Sequence, residues 1–544
     1  MSETTRHLTV VNLVLAFGLF WCDMVPTAAA DSTERNSVHV IRPTHPRQPD
    51  DSYTRMFPGL PPFTPQTDEA RERARQLGAQ GGVLDAFDIL TDPIQSITNP
   101  AVFSPNNPDN PNMTAGMTFF GQFLDHDLTL ALKAPLFEKT NPRGTTNFRT
   151  AAFDLDNVYG DGPKDAPELY DTSSGDIKFR VELLPGAELV SRKGAVRFDL
   201  PRDANNNAII ADSRNDENVI ISQFHLAMLK FHNAVIDRLR ADPKYAHRSP
   251  KQIFKEAQRL VRWHYQWIVL NEFLPLTIGQ DRVDDILHHG LRYYRIHDRG
   301  EDRHYRNSKK EPLIPVEFSV AAYRFGHSQV RPSYRLNFGP DAGPPFFTFV
   351  FDAADPNNPD PNDLRGGKRA ARRFVDWQTF FEFDGNFRPN KRIDSKLSSL
   401  LLAMPGSNGP SPGLPSDGVQ SLASRNLMRH VNFGIPSGQS IARAMDIPVL
   451  TPSQLADLIP FGMESSTPLW FYILRESEIA ENGLRLGPVG SRIVGEVFIG
   501  LLKADADSYL AVDRHWKPVL PSKQAGQFHI TDLLTFAGVV HPLN

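Results

Sequence analysis

Apolar residues recur every three or four positions along most of the chain beyond residue 114, with polar residues between them. This spacing is typical of helices that bury one face, and the alternation typical of strands is scarce. Ser249 has the side chain of a helix cap and Pro250 suits the first helical position, so one helix is predicted to begin there. The predicted helices, in chain order, are Thr114–Leu132, Asn218–Leu239, Pro250–Leu274, Pro315–Val330, Pro452–Ile459, Leu469–Ile479, Val489–Ala504 and Ile530–Ala537. The best candidate strand is Phe346–Phe351, so the predicted fold class is mainly α, a large single domain with few short strands.

The segment before these helices has a different pattern. Residues 31–112 include seven prolines between Pro43 and Pro65, which exclude long helices because proline lacks the amide hydrogen and its ring clashes with the preceding turn. One short helix is predicted at Glu69–Leu77, and the turn-rich run Ser104–Asn112 ends the segment. We therefore predict an extended, proline-rich arm over residues 31–112 and a main domain over residues 113–544.

Residues 1–30 have the layout of a secretory signal peptide. A short polar start precedes a mostly apolar run of 14 residues, Leu8–Trp21, and Ala28 to Ala30 offer a small-residue cleavage site. The run is shorter than the ~20 residues that a membrane span needs, although a retained membrane anchor is the alternative. We expect cleavage after Ala30, a secreted, periplasmic or extracellular location, and no stable membrane span afterwards.

Composition narrows the chemistry that remains. The 59 basic and 63 acidic residues give a net charge of −4, which argues against a nucleic-acid binder that relies on a large basic surface. Cys22 is the only cysteine, and signal cleavage would remove it. A disulfide framework, a Cys-ligated zinc site and an iron–sulfur cluster are therefore excluded. An exported chain that does without disulfides has a bacterial character.

Three titratable residues, Asp125, His126 and Asp127, interrupt the first long apolar helix. Burying any of them without a partner would be costly. Gln122 lies about one helical turn before His126, so both project from the same face, whereas Asp127 is about 100° around the helix and points elsewhere. The alternative is a solvent-facing polar stripe.

A second acidic segment follows, with Asp154 and Asp156 two residues apart before a glycine turn. Ca²⁺ takes about six to eight oxygens, largely from carboxylates, backbone carbonyls and water. Asp127, the Thr150 hydroxyl and the backbone of Thr150 and Ala152 can add to the two carboxylates. The alternative is a loop closed by hydrogen bonds from its own Asp side chains.

Three further segments carry isolated candidates. Arg214 and Glu217 are three residues apart at the start of a long helix and share a face, as an ordinary surface ion pair also would. His327 follows a glycine in an apolar helix; it is a natural axial ligand for haem iron, and a buried structural histidine is the alternative. Asn426 can accept a hydrogen bond from such a ligand, and Arg429 can pair with a carboxylate or a haem propionate.

Taken in sequence order, these five segments resemble the animal-type haem peroxidases of the peroxidase–cyclooxygenase superfamily. The resemblance extends from about Asn99 to the C-terminal helices, and it implies a catalytic domain with haem b buried between central helices. It also implies a peroxidase that reduces H2O2 to water while it oxidises a small donor, such as a halide, a pseudohalide or a phenol. The sequence predicts no nucleic-acid partner and no particular oligomeric state.

The resemblance assigns roles to the matching positions. On the distal side of the haem, His126 matches the catalytic histidine, Gln122 the glutamine that helps to hold water or halide, and Arg214 the catalytic arginine. On the proximal side, His327 matches the iron ligand and Asn426 its hydrogen-bond partner. The remaining matches are Asp125 and Glu217, which form ester links to the haem, Arg324 and Arg429, which lie near it, and Asp127, Thr150, Ala152, Asp154 and Asp156, which form a calcium loop.

Two positions depart from other members of the superfamily. Asn218 stands where myeloperoxidase-like members have a methionine that forms a sulfonium link to the haem, so that link and the strongest argument for chloride oxidation are absent. Arg324 stands where cyclooxygenases have a radical-forming tyrosine, which resembles the peroxidase branch. The alternatives are a haem-dependent fatty-acid dioxygenase of the same superfamily and a non-enzymatic matrix or adhesion protein on a peroxidase scaffold.

Overall fold

The structure is a computed structural model that describes residues 52–131, 135–187, 196–298, 310–340, 343–352, 360–367, 369–405 and 418–541. The predicted signal peptide, with Cys22, and residues 31–51 of the predicted arm lie outside these ranges. Helices dominate the described part of the chain, which confirms the mainly α fold class.

The helices follow the apolar spacing of the sequence. In the described ranges they are α1 Asp68–Leu77, α2 Gln95–Thr98, α3 Ala115–Leu128, α4 Asp156–Tyr159, α5 Gly162–Asp165, α6 Val219–Ala241, α7 Pro250–Ile268, α8 Leu274–Ile278, α9 Gln280–His289, α10 Leu422–Phe433, α11 Gly438–Ala444, α12 Leu469–Glu481, α13 Pro488–Ala504, α14 Tyr509–Val512 and α15 Ile530–Phe536. The predicted helices that became α1, α3, α6, α12, α13 and α15 differ from them only at their ends. Ser249 caps α7 with a hydrogen bond from the amide of Gln252, as predicted.

Two predicted helices are interrupted by wider turns. The helix predicted over Pro250–Leu274 passes through a π-turn at Val269–Phe273 before α8 begins. Pro275 explains the change, because it cannot donate to the carbonyl of Asn271 and its ring pushes that carbonyl away. The helix predicted over Pro315–Val330 is a π-turn at Glu317–Ala321 followed by a 3-10 helix.

The 3-10 helix covers Ala322–His327, and the break lies at Ala321, whose φ of −126° and ψ of −77° are not helical. The prediction of one regular α-helix around His327 is therefore wrong. The helix predicted over Pro452–Ile459 is a 3-10 helix that covers Pro452–Phe461.

The strands are short and pair in antiparallel twos. In the described ranges, β1 Asp109–Thr114 pairs with β8 Pro389–Lys391, β2 Glu182–Leu183 with β3 Phe198–Asp199, β4 His297–Asp298 with β5 Lys310–Glu311, and β6 Ser333–Arg335 with β7 Phe347–Phe349. The strand predicted at Phe346–Phe351 is confirmed at its centre, where Thr348 lies opposite Tyr334.

Helix α3 lies at the centre of the core, and every one of its residues is buried. The Phe120 ring packs 5.7 Å from Phe224 of α6, and the Phe123 ring lies 6.3 Å from Tyr265 of α7, measured between centroids. Gly116 allows the start of the helix to approach Phe381, because a Cβ there would lie 2.4 Å from that ring. Any polar side chain on α3 must therefore find its partners inside the protein.

The described part of the predicted arm belongs to the core. Tyr53 and Phe57 are buried, and α1 packs against α10, where the Arg71 Nε donates to the Asn432 side-chain oxygen at 2.7 Å. The buried Glu317 carboxylate accepts hydrogen bonds from the amides of Met56 and Phe57 at 2.9 and 3.2 Å. The proline-rich segment forms no regular helix or sheet at these positions. Its backbone amides are paired instead through long-range contacts.

Within the described ranges, α6 is the one helix long and apolar enough to cross a bilayer by length and composition, and 83% of its most apolar window is buried inside the protein. Its apolar character matches its place in the core next to α3.

Candidate active site

The three titratable residues of α3 are fully buried and point in three directions. Asp125 accepts a hydrogen bond from the Thr129 hydroxyl at 3.0 Å within its own helix. His126 faces Asn215, and Asp127 faces Tyr265. The divergence of His126 and Asp127 agrees with the predicted rotation of about 100°, and the alternative of a solvent-facing stripe is wrong.

The His126 ring has one bonded and one unbonded nitrogen. Nδ1 lies 2.8 Å from the side-chain oxygen of Asn215, and Nε2 has no hydrogen-bond partner among the described residues. The nearest carboxylate oxygen, from Glu217, is 3.7 Å from Nε2. Burial, with a smaller contribution from the Arg214 cation, lowers the pKa of His126 to about 3, so its imidazole is neutral at physiological pH.

Arg214 lies on the 3-10 turn Ser213–Asp216, which Asp212 caps by accepting from the Arg214 amide. The guanidinium donates to both carboxylate oxygens of Asp212, at 3.0 and 2.7 Å, and to the main-chain oxygen of His126 at 3.1 Å. Burial opposes a charge on Asp212, but Arg149 and Arg214 outweigh it and hold the pKa of Asp212 well below its usual range. Arg214 is therefore a fixed cation beside His126.

Gln122 and Glu217 lie on the same side of His126. The Gln122 amide donates to the Glu217 carboxylate and accepts from the Asn218 amide at 3.4 Å. Asn218 also caps α6, where its side-chain oxygen accepts from the amides of Ile220 and Ile221. Arg214 pairs at short range with Asp212, and Glu217 is buried, so an ordinary surface ion pair is the wrong interpretation of this segment.

His327 ends the 3-10 helix Ala322–His327 and is fully buried. Burial, and to a smaller extent the Arg324 cation, lowers the pKa of His327 well below its usual value, so this imidazole is also neutral. Its Nδ1 lies 2.7 Å from the Asn426 side chain on α10, which places the predicted pair together.

The orientation of that pair differs from the prediction. The amide nitrogen of Asn426, rather than its oxygen, faces Nδ1 of His327. An amide NH2 only donates, so in this arrangement Nδ1 carries the lone pair and Nε2 the proton. A histidine that binds iron through Nε2 needs its lone pair on Nε2 and its proton on Nδ1. A half-turn of the Asn426 amide would place the amide oxygen opposite Nδ1 and allow this tautomer. The predicted contact is present, and the accepting oxygen stays a prediction.

Both arginines predicted near the haem lie close to this pair. The Arg324 Nε donates to the Ser319 carbonyl at 2.8 Å, and the Arg324 carbonyl accepts from the Trp470 indole at 3.0 Å. The Trp470 ring stands edge-on to His327 with centroids 6.1 Å apart. Arg429 is buried on α10, three residues after Asn426.

The two histidine segments contact each other directly. The Tyr323 hydroxyl, four residues before His327, donates to the Gly121 carbonyl of α3 at 3.1 Å. Gly121 directly precedes Gln122, so the helix with His126 and the 3-10 helix with His327 are held in one packed unit.

The predicted calcium residues converge beside α3. Carboxylate oxygens of Asp127, Asp154 and Asp156 lie within 4.8 Å of one another. Burial raises the pKa of Asp127 well above its usual value, and the carboxylates of Asp154 and Asp156 add to that shift. Its Oδ1 is buried with no hydrogen-bond partner among the described residues, while Oδ2 accepts from the Tyr265 hydroxyl at 3.0 Å. Three converging carboxylates, one deeply buried, are a donor set that fits a hard divalent cation such as Ca²⁺.

The rest of the loop supports this arrangement. The Thr150 hydroxyl donates to Asp154 at 2.8 Å and the Thr150 amide to Asp156 at 3.1 Å, and Ala152 is half-buried between them. Leu155 has φ +60°, a left-handed conformation that costs a residue with a side chain. The carboxylates on either side of Leu155 thereby turn toward Asp127.

Several residues of the site were missed by the sequence analysis. Asn215 binds the His126 ring, and Tyr265 binds Asp127. Asp212 accepts hydrogen bonds from both Arg214 and Arg149. Asn215 and Asp212 lie in the same short segment as Arg214, and the D-x-R spacing is a recognisable turn cap. Arg149 and Tyr265 are far from their partners in the sequence, and no local pattern indicates them.

The side chains of the site have the chemistry that haem binding needs. Two neutral, buried histidines on contacting segments, with arginines beside them, are the side chains that haem iron and its propionates require. Two small cavities in the described part of the chain, one beside Val158 and Leu229 and one beside Arg335 and Phe347, are lined by neither His126 nor His327.

Comparison with known proteins finds similarity to peroxidases. Residues 131–344 match the family described as animal haem peroxidase, a range that includes residues 150–156, Arg214 and His327 but not His126 or Asp127. The chain is 24% identical to chorion peroxidase of Aedes aegypti over 404 residues, which cover 72% of this chain and 46% of that protein. It is 28% identical to thyroid peroxidase of Mus musculus over 202 residues, 36% of this chain and 20% of that one. The chain thus spans less than half the length of these relatives.

The fold has a counterpart among solved structures. Peroxidase A of Dictyostelium discoideum superposes with a TM-score of 0.57 at 17% identity, and the match covers 90% of this chain and 94% of that one. This likeness extends the shared fold well beyond residues 131–344.

Proposed function

We propose that this chain belongs to the animal haem peroxidase family and is a haem peroxidase that reduces H2O2 to water and oxidises a small donor. One observation carries the proposal. The neutral, buried imidazole of His126 has an unbonded Nε2, and the Arg214 guanidinium is anchored to the same residue. A base and a fixed cation at one buried position are the two groups that peroxide cleavage needs.

The chain would hold haem through residues of both contacting segments. His327 would bind the iron, with Asn426 turned to accept from Nδ1, and Arg324 and Arg429 would pair with the propionates. Asp125 and Glu217 are the candidates for ester links to the porphyrin. When bound, haem as a whole would supply the two electrons that reduce peroxide and would recover them from the donor.

His126 moves the proton. A neutral imidazole with a lone pair at Nε2 can accept a proton from one oxygen of H2O2 and return it to the departing oxygen, which leaves as water. The low pKa of about 3 keeps that lone pair available at physiological pH, because the imidazolium form is disfavoured by burial. Gln122 lies on the same face and is placed to orient water or peroxide beside this nitrogen.

Arg214 stabilises the charge that develops. Cleavage of the O–O bond builds negative charge on the leaving oxygen, and a fixed cation in a water-poor site lowers that barrier by about 3 kcal/mol. The bidentate pair with Asp212 restrains the guanidinium, so little reorganisation is needed during the reaction.

Calcium would act at a distance through α3. A Ca²⁺ ion bound by Asp127, Asp154 and Asp156 would offset two of the three carboxylate charges and fix the end of the helix that carries His126. We therefore propose a structural calcium site with an indirect effect on catalysis.

Donor choice follows from the distal residues. Asn218, bonded to Gln122, replaces the methionine of myeloperoxidase-like members, so iodide, bromide, thiocyanate or phenols are the proposed donors rather than chloride. The chain is also proposed to be exported, with cleavage after Ala30, which N-terminal sequencing of the protein from its native source would test.

The decisive experiment is an absorption spectrum of the haem-supplied protein before and after H2O2, followed by iodide, bromide and a phenol in separate reactions. We expect a Soret band that changes with peroxide and recovers as donor is consumed. Oxygen uptake with a polyunsaturated fatty acid and no peroxide would instead favour the dioxygenase alternative. Correctly folded protein that binds no haem would favour the non-enzymatic scaffold.

A further inference from the structure

We propose that Asn215 is a positioning residue that fixes the tautomer of His126, so that its lone pair, and not its proton, faces the peroxide site. The inference rests on the proposed function for its catalytic meaning. Its structural content concerns three residues of this chain, Asn215, His126 and His225, and can be tested without haem.

The chemistry of the contact decides the tautomer. The Asn215 side-chain oxygen lies 2.8 Å from Nδ1 of His126, and an amide oxygen only accepts. Nδ1 must therefore carry the ring proton. A neutral imidazole has one proton, so Nε2 is left with its lone pair, and this is the nitrogen without a hydrogen-bond partner among the described residues. The opposite tautomer would present an N–H to peroxide and could not act as a base.

His225 contacts the other end of the same amide. The Asn215 nitrogen lies 2.9 Å from Nδ1 of His225, a buried residue of α6, and an amide NH2 only donates. In this arrangement His225 accepts at Nδ1 while the amide oxygen faces His126, so one amide links the two rings and couples their tautomers. A half-turn of the amide would require both rings to exchange tautomers.

The same turn restrains His126 at two points. Arg214 donates to the main-chain oxygen of His126, and the next residue, Asn215, accepts from its ring. His126 and Asn215 are buried and the Arg214 side chain is only 11% exposed, so water competes little for either contact. The turn Ser213–Asp216 thus supplies both the cation and the tautomer of the base.

The first test uses the wild-type chain without haem. In histidine-labelled protein, the ¹⁵N resonance of His126 is assigned by its loss in His126→Phe. We expect a pyridine-type, unprotonated Nε2 and a protonated Nδ1. A protonated Nε2 overturns the inference whatever the enzyme does; an unprotonated Nε2 in a protein that lacks peroxidase activity supports it and contradicts only the proposed function.

The second test separates positioning from folding. Asn215→Leu is expected to slow the reaction of haem-loaded protein with H2O2 by about 100-fold, as expected for a misplaced general base, and to leave donor oxidation unchanged. Asn107→Leu, a buried substitution of the same kind away from the site, should change neither step. Equal losses in both steps, together with lost haem, would indicate a structural role and overturn the inference.

A third pair tests the role of His225. His225→Phe leaves the Asn215 nitrogen without its acceptor, so the amide can turn, and His126 is expected to show both tautomers and a reduced peroxide rate. His232→Phe is the matched control on the same helix; His232 binds Tyr159 and the Ile177 carbonyl, far from Asn215. An unchanged tautomer in His225→Phe would contradict the proposed orientation of the amide.

Discussion

Arg214 donates through Nη2 to the main-chain oxygen of His126 at 3.1 Å, although the two residues are 88 positions apart. The cation is thereby attached to the residue whose ring is the proposed base. The bidentate pair with Asp212 holds the same guanidinium on the turn Ser213–Asp216, so the cation links that turn to α3.

Arg214→Leu is expected to slow the reaction with H2O2 by about 10²- to 10³-fold while haem stays bound, because the leaving oxygen loses its stabilising cation. Stopped-flow absorption spectroscopy measures this step. Arg143→Leu, at an exposed position, serves as the control. An unchanged rate in Arg214→Leu would remove this residue from the mechanism.

His327→Ala is expected to abolish haem retention, since the chain would lose the proposed iron ligand. The Soret absorbance per mole of purified protein gives the result. His288→Ala, an exposed histidine on α9, should bind haem normally. A normal Soret band in His327→Ala would contradict the axial assignment.

Calcium is expected to stabilise the protein by about 2.7 kcal/mol when it is present at about 100 times its Kd. Chelation with EGTA should therefore lower Tm, and Asp127→Ala should abolish the difference between chelated and calcium-supplied protein. Asp165→Asn, an exposed carboxylate near the loop, should keep the full calcium effect. If Tm is insensitive to chelation in the wild type, the calcium site is wrong.

Glu476 is expected to make stability depend on pH. The carboxylate is buried and accepts from the amides of Val489 and Gly490 at the start of α13, and burial raises the pKa of Glu476 to about 7 from 4.5. The folded state therefore binds a proton that the unfolded state loses above pH 4.5. Its contribution is fully present below pH 4.5 and is lost as pH rises through 7, by about 3 kcal/mol.

Glu476→Gln should flatten this part of the stability curve, because a neutral amide keeps an acceptor for Val489 without titrating. Thermal unfolding midpoints between pH 5 and pH 8 measure the change. Glu138→Gln, at an exposed position, should retain the slope of the wild type. Parallel curves for Glu476→Gln and the wild type would show that Glu476 does not contribute the effect.

Acid extraction tests the proposed ester links. Haem is expected to stay with the denatured wild-type chain and to be released from the double variant Asp125→Asn, Glu217→Gln. Mass spectrometry of the extracted chain gives the covalent adduct directly. Release of all haem from the wild type would show that the ester links are absent. It would not contradict the proposed peroxidase activity.

The positions of the main helices and the directions of their side chains were predictable from the sequence. Apolar spacing placed α3, α6 and α13 to within a few residues, and the rotation per residue of a helix separated His126 from Asp127 before any partner was known. Such features depend on neighbouring residues along the chain. The residue types of the candidate site are local in the same sense, because they follow from the motifs themselves.

The contacts between distant residues depend on how the helices pack. The contacts of Asn215 with His126, of Arg149 with Asp212 and of Tyr265 with Asp127 join segments that are distant in sequence, and they exist because helices pack at particular angles. The irregular helix at His327 and the burial of the proline-rich segment have the same origin. Spacing along a chain gives the direction in which a side chain points, whereas packing determines which residues that side chain contacts.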